Sequence, residues 1–222
     1  MNNIKYLAAV LIGIAGLGLH QAKADSIGFD LSQGNPAISG YTGPYAHVQV
    51  TWVDSTHATV TFTSLFNGGN TYLMGDGGTV ALQVNATTFN SSVAATNSFP
   101  GFAVPQVVGT GPGNEDGFGN FNLTVDLFDG YTNSANMVVV SLTNVSGTWA
   151  SAANVLINNS HLTRAAAHIF VAAGAIPDPN ASALATGYAG EGGAIVPDGG
   201  TTVMLLGTAL GALGMARRFF RR

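Results

Sequence analysis

Apolar and polar residues alternate along the middle of the chain. From Ala46 to Trp52 every second residue is apolar, and the alternation resumes from Ala58 to Phe62 after a polar connection at 54–57. A period of two is typical of a strand with one buried and one solvent-exposed face. Two such runs around a short turn predict a β-hairpin, with His47 on its exposed face and His57 in its turn.

The same pattern predicts further strands. In chain order they cover residues 71–74, 79–84, 121–127, 137–142, 153–157 and 167–171. The first two flank a glycine-rich turn and predict a second hairpin, and the third and fourth are expected to pair with each other. A short helix over 164–173 is the alternative to the last strand.

No long amphipathic helix is evident between residues 25 and 195, where short runs are separated by Thr, Asn and Gly turns. This pattern predicts an all-β fold, an antiparallel β-sandwich, with a jelly roll as one form of it. Edge strands are often protected by lysine, which opposes pairing with another chain. This stretch has no lysine, so its edges are expected to be covered, shielded by Asp or loops, or available for pairing.

Residues 1–24 have the pattern of a secretory signal peptide. Lys5 supplies a positive n-region, residues 6–19 are apolar, and Ala22 to Ala24 form a small-x-small cleavage site. Cleavage after Ala24 gives a mature chain that begins at Asp25. The alternative, a first transmembrane helix, fits less well because the apolar stretch is short and contains glycines.

The final stretch, residues 196–222, combines a turn motif, an apolar run and a basic end. The motif consists of Val196, Pro197, Asp198, Gly199 and Gly200. The apolar run covers residues 201–216, and the basic end consists of Arg217, Arg218, Arg221 and Arg222. A helix of this length spans roughly 24 Å, near the ~30 Å hydrocarbon core of a bilayer. The run therefore predicts a C-terminal transmembrane helix, with its arginines on the cytoplasmic side; a buried core helix and a permanent anchor are the alternatives.

These three parts resemble the C-terminal sorting signals that exosortases recognise, the PEP-CTERM type, in the variant that reads Val-Pro-Asp-Ser/Gly-Gly. The resemblance implies that an integral-membrane exosortase processes the tail. It also implies anchoring in the inner membrane before processing, followed by delivery to the cell surface or extracellular matrix. Asp198 and Gly199 depart from the commoner Pro-Glu-Pro form, so the resemblance does not define the exosortase subtype.

Together these features divide the chain into four parts. The signal peptide covers residues 1–24, the β-sandwich domain 25–174, a linker 175–195 and the sorting signal 196–222. The linker is predicted because residues 175–195 are rich in Gly, Pro and Ala, a composition typical of connections between folded units.

The stretch between the two ends carries almost no positive charge. Arg164 is its single Lys or Arg, against ten acidic residues, so residues 25–195 have a formal charge of −9. Such a surface repels phosphate groups, which excludes nucleic acid as a partner. One arginine and no cysteine leave apolar burial and backbone hydrogen bonds as the expected sources of stability.

No catalytic constellation is recognisable, and no enzyme activity is predicted. No Gly-x-Ser-x-Gly motif occurs, and the histidines lack the close spacing of a zinc site; in the mature chain they are His47, His57, His161 and His168. Calcium is the one cofactor considered, because oxygens of Asn114, Glu115 and Asp116 in the glycine-rich stretch 109–120 suit Ca²⁺. An ordinary exposed loop is the alternative.

Three functions remain open. The first is a non-enzymatic surface or matrix protein with a structural or adhesive role. The second is a carbohydrate-binding module for a surface polysaccharide, with or without calcium, in which Tyr41, Tyr45 and Trp52 stack on sugar rings. The third is a small hydrolase built on a pair of carboxylates in a cleft.

Overall fold

The computed structural model describes residues 25–191 and 196–197, which form an antiparallel β structure. Its strands, numbered β1 to β13 in chain order, are Asp25–Gly34, Ala46–Trp52, His57–Ser64, Phe66–Asn67, Asn70–Met74, Val80–Leu82, Phe89–Thr96, Val107–Glu115, Gly119–Leu127, Met137–Asn144, Ala165–Ala173, Ala185–Glu191 and Val196–Pro197. The described part of the chain contains two short 3-10 helices besides, Tyr131–Asn133 and Ala152–Asn154. The predicted all-β, antiparallel class is confirmed.

The strands form one continuous sheet in the order β7-β10-β3-β2-β1-β12-β11-β6-β9-β8. Strand β5 lies end to end with β6 along β11, β4 pairs with β5, and β13 pairs with β1. The register of β1 against β12 shifts between Leu31 and Gln33. A bulge of this kind bends a strand and increases its twist, so the sheet turns where its two halves join.

A large core lies between the two halves. Inward side chains from β1, β2, β3 and β10 belong to the same cluster of buried residues as those from β6, β9 and β11. The cluster includes Phe62 and Val140 from the first half of the sheet, and it includes Leu82 and Ile169 from the second half. The single sheet therefore folds back on itself around its apolar faces, which gives a nearly closed barrel or sandwich and not the two separate sheets of the predicted sandwich.

The hairpin of β2 and β3 is confirmed. Its register runs from Ala46 opposite Ser64 to Trp52 opposite Ala58, and the N–H of Val53 donates to the carbonyl of His57 at 2.9 Å across the turn. The run predicted at 167–171 is also confirmed as a strand, β11, and the helical alternative is wrong. In β2 and β3 the buried apolar side chains repeat with a period of two, whereas β11 is a nearly continuous buried apolar run; both patterns are typical of strands.

Other predicted pairings are wrong. Strand β9 pairs with β8 and β6, not with β10, which pairs with β3 and β7. Strands β5 and β6 do not form a hairpin, because both pair with β11, one after the other. Residues 153–157 form no strand; they contribute one isolated bridge, between Leu156 and Val84. Sequence neighbours were expected to pair, whereas the sheet joins segments that are far apart in the chain.

The predicted linker at 175–195 is wrong for its second half, because Ala185–Glu191 is strand β12 in the middle of the sheet. It pairs with β11 from Ala185 to Gly190 and with the end of β1. Its glycines permit close approach: a Cβ on Gly187 would overlap Asn35 and Ala37, and one on Gly190 would overlap the ring of Phe118. Small residues here mark tight packing and not flexibility.

Arg164 is buried at the start of β11 and is 5% exposed. Its guanidinium donates to both carboxylate oxygens of Glu191, with an Nε–Oε2 distance of 2.9 Å, and lies 4.1 Å from the ring centroid of Phe29. A bidentate pair of this kind is strong and directional. The single arginine of the body therefore joins β11, β12 and β1.

The two predicted terminal elements lie outside the described residues: the signal peptide, 1–24, and the transmembrane helix with its basic end, 201–222. Within the residues that are described, none of the helices has the length and apolar character needed to cross a membrane.

Replacing Arg164 tests the ion pair. Arg164→Met leaves the Glu191 carboxylate buried without its partner, so we expect the free energy of unfolding to fall by about 3–5 kcal/mol. The double variant Arg164→Met/Glu191→Leu removes both charges and should recover most of this loss. Urea unfolding of the full-length chain measures both; a single variant as stable as the wild type would contradict the assignment.

Replacing Gly190 tests the position of β12. Gly190→Ala pushes a methyl group into Phe118, and we expect the free energy of unfolding to fall by about 1–3 kcal/mol. Gly111→Ala is the matched control, because a Cβ at this strand glycine meets no atom within 4 Å. Equal stability of the two variants in urea unfolding would show that β12 is not packed as described.

Candidate functional site

The first two residues of the C-terminal motif form strand β13 on the body. Their backbone pairs with β1, with Pro197 opposite Ile27 and Val196 opposite Gly28. Since β12 pairs with β1 only from Leu31 onward, the preceding part of the same edge is open to β13. The motif therefore lies beside the first residues of the predicted mature chain.

The start of β1 is itself anchored. The carboxylate of Asp25 accepts a hydrogen bond from the N–H of Ala152 at 2.9 Å, and Asp25 pairs with Trp52 of β2. The residue after the predicted signal cleavage thus belongs to the sheet. Ala24, on the other side of that cleavage site, lies outside the described residues.

Residues 196–220 match the family model of the VPDSG-CTERM motif. This region is a PEP-CTERM-like sorting signal. The signal implies exosortase processing in general and indicates export and surface association. A search of curated proteins and a search of solved structures each found no match to this chain. Asp198, Gly199, Gly200 and the arginines of the basic end lie beyond the described residues.

The three calcium candidates do not converge. The stretch that contains them is the hairpin of β8 and β9, so neighbouring residues point to opposite faces of the sheet. The Asn114 amide donates to the Asn120 side chain at 2.9 Å, and Asp116 accepts from Asn35 at 3.0 Å, both near the surface. Glu115 points inward. Over the described residues, no group of three His, Asp or Glu side chains is arranged to hold a metal ion.

Glu115 is the most unusual acid of the body. It is 1% exposed, and neither carboxylate oxygen has a hydrogen-bond partner in the described structure. Its oxygens lie against Gly78, whose positive φ of 66° and missing Cβ leave room for them. Burial first, and the nearby Asp126 carboxylate second, raise the pKa of Glu115 to about 9. Glu115 is therefore a protonated, neutral acid at physiological pH.

The four histidines do not assemble with one another. His47 contacts Asp30 at 2.6 Å and His57 contacts Asp54 at 2.9 Å, each in a separate surface pair. The pKa of Asp54 is lowered to about 2, first by the N–H of Thr56 and then by the side chain of His57. His168 stacks on Tyr188 with ring centroids 4.5 Å apart, and burial lowers the pKa of its imidazole.

The three aromatic residues proposed for sugar stacking are engaged in the fold. Tyr45 is buried, and its hydroxyl donates to the carbonyl of Tyr41 at 2.9 Å. The Trp52 indole donates to the carbonyl of Trp149 at 3.1 Å, and both Tyr41 and Trp52 pack against the core. Their rings stabilise the body instead of forming a common exposed platform.

A pocket of about 400 Å³ lies at one end of the sheet, and the sequence analysis did not find it. It is formed by the segment after β6, one residue of β9, the end of β10 with the turn that follows it, and one residue after the second 3-10 helix. Its lining residues are Gln83, Val84, Asn85, Ala86, Thr87, Asn122, Asn144, Ser146, Gly147, Thr148 and Ile157. These segments are distant in the chain, so their convergence leaves no local motif. The available signal was a clustering of Asn, Gln and Thr at the predicted strand ends.

The raised pKa of Glu115 predicts a specific pH dependence of stability. The folded state holds this proton up to about pH 9, whereas an unperturbed glutamate releases it near 4.5. Between these values the unfolded chain binds fewer protons, so the free energy of unfolding falls as the pH rises. Glu115→Gln has no proton to release and should be more stable than the wild type near neutral pH, by on the order of 3 kcal/mol.

The gain of Glu115→Gln should disappear below about pH 4, where both states of the wild type are protonated. Asp129→Asn, at an exposed acid, is the control and should change stability by less than about 0.5 kcal/mol. Urea unfolding across this pH range measures the difference. A glutamine variant that is no more stable than the wild type at neutral pH would contradict the buried, neutral Glu115.

Proposed function

We propose that this protein is an exported, non-enzymatic component of the cell surface or extracellular matrix, with a structural or adhesive role. The match of residues 196–220 to the VPDSG-CTERM motif carries the proposal. On this proposal the signal peptide, 1–24, directs export, and an exosortase processes the tail after the apolar run, 201–216, has held the chain in the inner membrane.

The charge of the body supports this destination. Its one arginine is buried with Glu191, so the exposed carboxylates on the described strands are not balanced by any exposed Lys or Arg. An acidic surface remains hydrated and is repelled by anionic lipid headgroups. Such a body is suited to leave the membrane surface once its tail has been processed.

The edges of the sheet support an adhesive or structural role. Strand β7 pairs with β10 on one side, and β8 pairs with β9 on one side, so these two strands end the sheet. Strand β7 contains no charged residue, and Val108 and Phe128 beside the β8 edge are 60% and 57% exposed. Uncharged edges with exposed apolar residues are suited to pairing with another chain.

The sorting step is tested with two matched pairs of substitutions in the native host. Val196→Ala/Asp198→Ala alters the sorting motif, while Ile176→Ala/Asp178→Ala makes the same changes in the similar Ile-Pro-Asp sequence of the body. We expect the motif variant to accumulate in the membrane fraction and the control to reach the cell surface like the wild type. Cell fractionation with an antibody against the body measures both.

A motif variant that reaches the surface in the same amount as the wild type would contradict processing through this signal. Retention of the control variant as well would show that the substitutions act through the body, and would equally count against a specific role for the motif.

A further inference from the structure

The pocket beside the ends of β6 and β10 and the first half of β9 has a volume of about 400 Å³, within the ~300–1,000 Å³ typical of small-molecule sites. No acid, base or histidine is among its lining residues, although the body has ten acids. Carboxamides and hydroxyls supply its polar groups. A pocket without charge has no means of neutralising an ionic ligand, which would lose its hydration on entry.

Three carboxamides of the pocket are each fixed at one end by the protein. The Gln83 side-chain oxygen accepts from the N–H of Asn122 at 3.1 Å. The Asn85 amide nitrogen donates to the carbonyl of Asn154 at 2.8 Å. The Asn144 side-chain oxygen accepts from the N–H of Ser146 at 3.2 Å. These bonds set the orientation of each amide, so the opposite end is presented in a defined direction.

The opposite ends have no hydrogen-bond partner within the described residues. They are two donors, the amide nitrogens of Gln83 and Asn144, and one acceptor, the side-chain oxygen of Asn85. The hydroxyls of Thr87 and Thr148, both exposed, each donate and accept. A phosphate or carboxylate requires donors alone and a metal ion requires acceptors alone, whereas a sugar hydroxyl does both.

The walls of the pocket are rigid and include an apolar side. The N–H of Asn85 donates to the carbonyl of Val155 at 2.8 Å, and the N–H of Ile157 donates to the carbonyl of Gln83 at 3.0 Å. The indole of Trp149 also donates to the Asn85 carbonyl, at 2.8 Å. Ile157 is 42% exposed and offers an apolar surface to the C–H face of a ligand. Preorganised groups lower the entropic cost of binding.

We propose that this pocket binds an uncharged saccharide, as a mono- or disaccharide or as the terminal unit of a neutral polysaccharide. Gln83, Asn85 and Asn144 hydrogen-bond its hydroxyls, Thr87 and Thr148 complete the polar contacts, and Ile157 packs against its apolar face. The site differs from the aromatic platform of Tyr41, Tyr45 and Trp52. Binding here does not require sorting through the tail, so this proposal and the proposed function fail independently.

The test is titration calorimetry of the full-length chain with glucose, galactose, mannose, N-acetylglucosamine and disaccharides of each, beside glucuronic acid and glucosamine as charged probes. We expect saturable binding of at least one neutral sugar and weaker or no binding of the charged ones. The affinity should change by less than about 2-fold between about pH 5 and about pH 8, because no group that lines the pocket titrates there.

Two pairs of variants locate the site. Thr148→Val removes one hydroxyl without changing the side-chain shape and should weaken binding by about 3- to 10-fold. Gln83→Glu replaces the free amide donor by a carboxylate oxygen and should weaken it by about 10-fold or more. Thr63→Val and Gln33→Glu make the same changes at exposed positions outside the pocket and should leave the affinity unchanged.

Thermal unfolding of each variant checks that it is folded. If Gln83→Glu does not fold, Thr148→Val still tests the site. The proposal is overturned if no neutral sugar binds, if a charged sugar binds more tightly, or if the pocket variants bind as well as the wild type.

Discussion

The bidentate contact between Arg164 and Glu191 holds the last residue of β12 against the body. Through this contact the single arginine of the body neutralises a buried acid. It joins the start of β11 to the last residue of β12, and Phe29 of β1 packs against the guanidinium. A segment with the composition of a linker is thereby held in the centre of the sheet. Apolar burial and backbone ladders stabilise the remainder, since no other Lys or Arg lies between Asp25 and Ile195.

This boundary places the first two residues of the sorting signal, Val196 and Pro197, beside β1. Only residues 192–195 separate the end of β12 from β13, and β13 pairs with β1, the first strand of the predicted mature chain. Asp25, which follows the predicted signal cleavage, and the first residues of the sorting motif are therefore both joined to β1. Two other polar sites of the body carry no charge. Burial keeps Glu115 protonated, and the amide pocket has no charged lining residue. The acids that give the body its charge are otherwise solvent-accessible to different degrees, in turns and on outer faces of strands.

The sequence predicts what depends on local pattern. The hairpin of β2 and β3 follows from alternating apolar side chains, and the tail motif is linear, so both are recognisable without a structure. Strands β8 and β12 were missed because glycine occupies positions where a large apolar residue would reveal the period of two. The pairing of β9 with β6 and the burial of Glu115 depend on segments far apart in the chain. The pocket was missed for the same reason, since its amides come from the ends of different strands.

On the proposed function, both ends of this chain are processed and the β body reaches the cell surface. Mass spectrometry of protein recovered from the surface of the native host tests it most directly, because it reports both mature ends of one molecule. We expect a chain that begins at Asp25 and lacks the apolar run, 201–216. Recovery of the intact 222-residue chain from the cytosol, with both ends unprocessed, would contradict the claim.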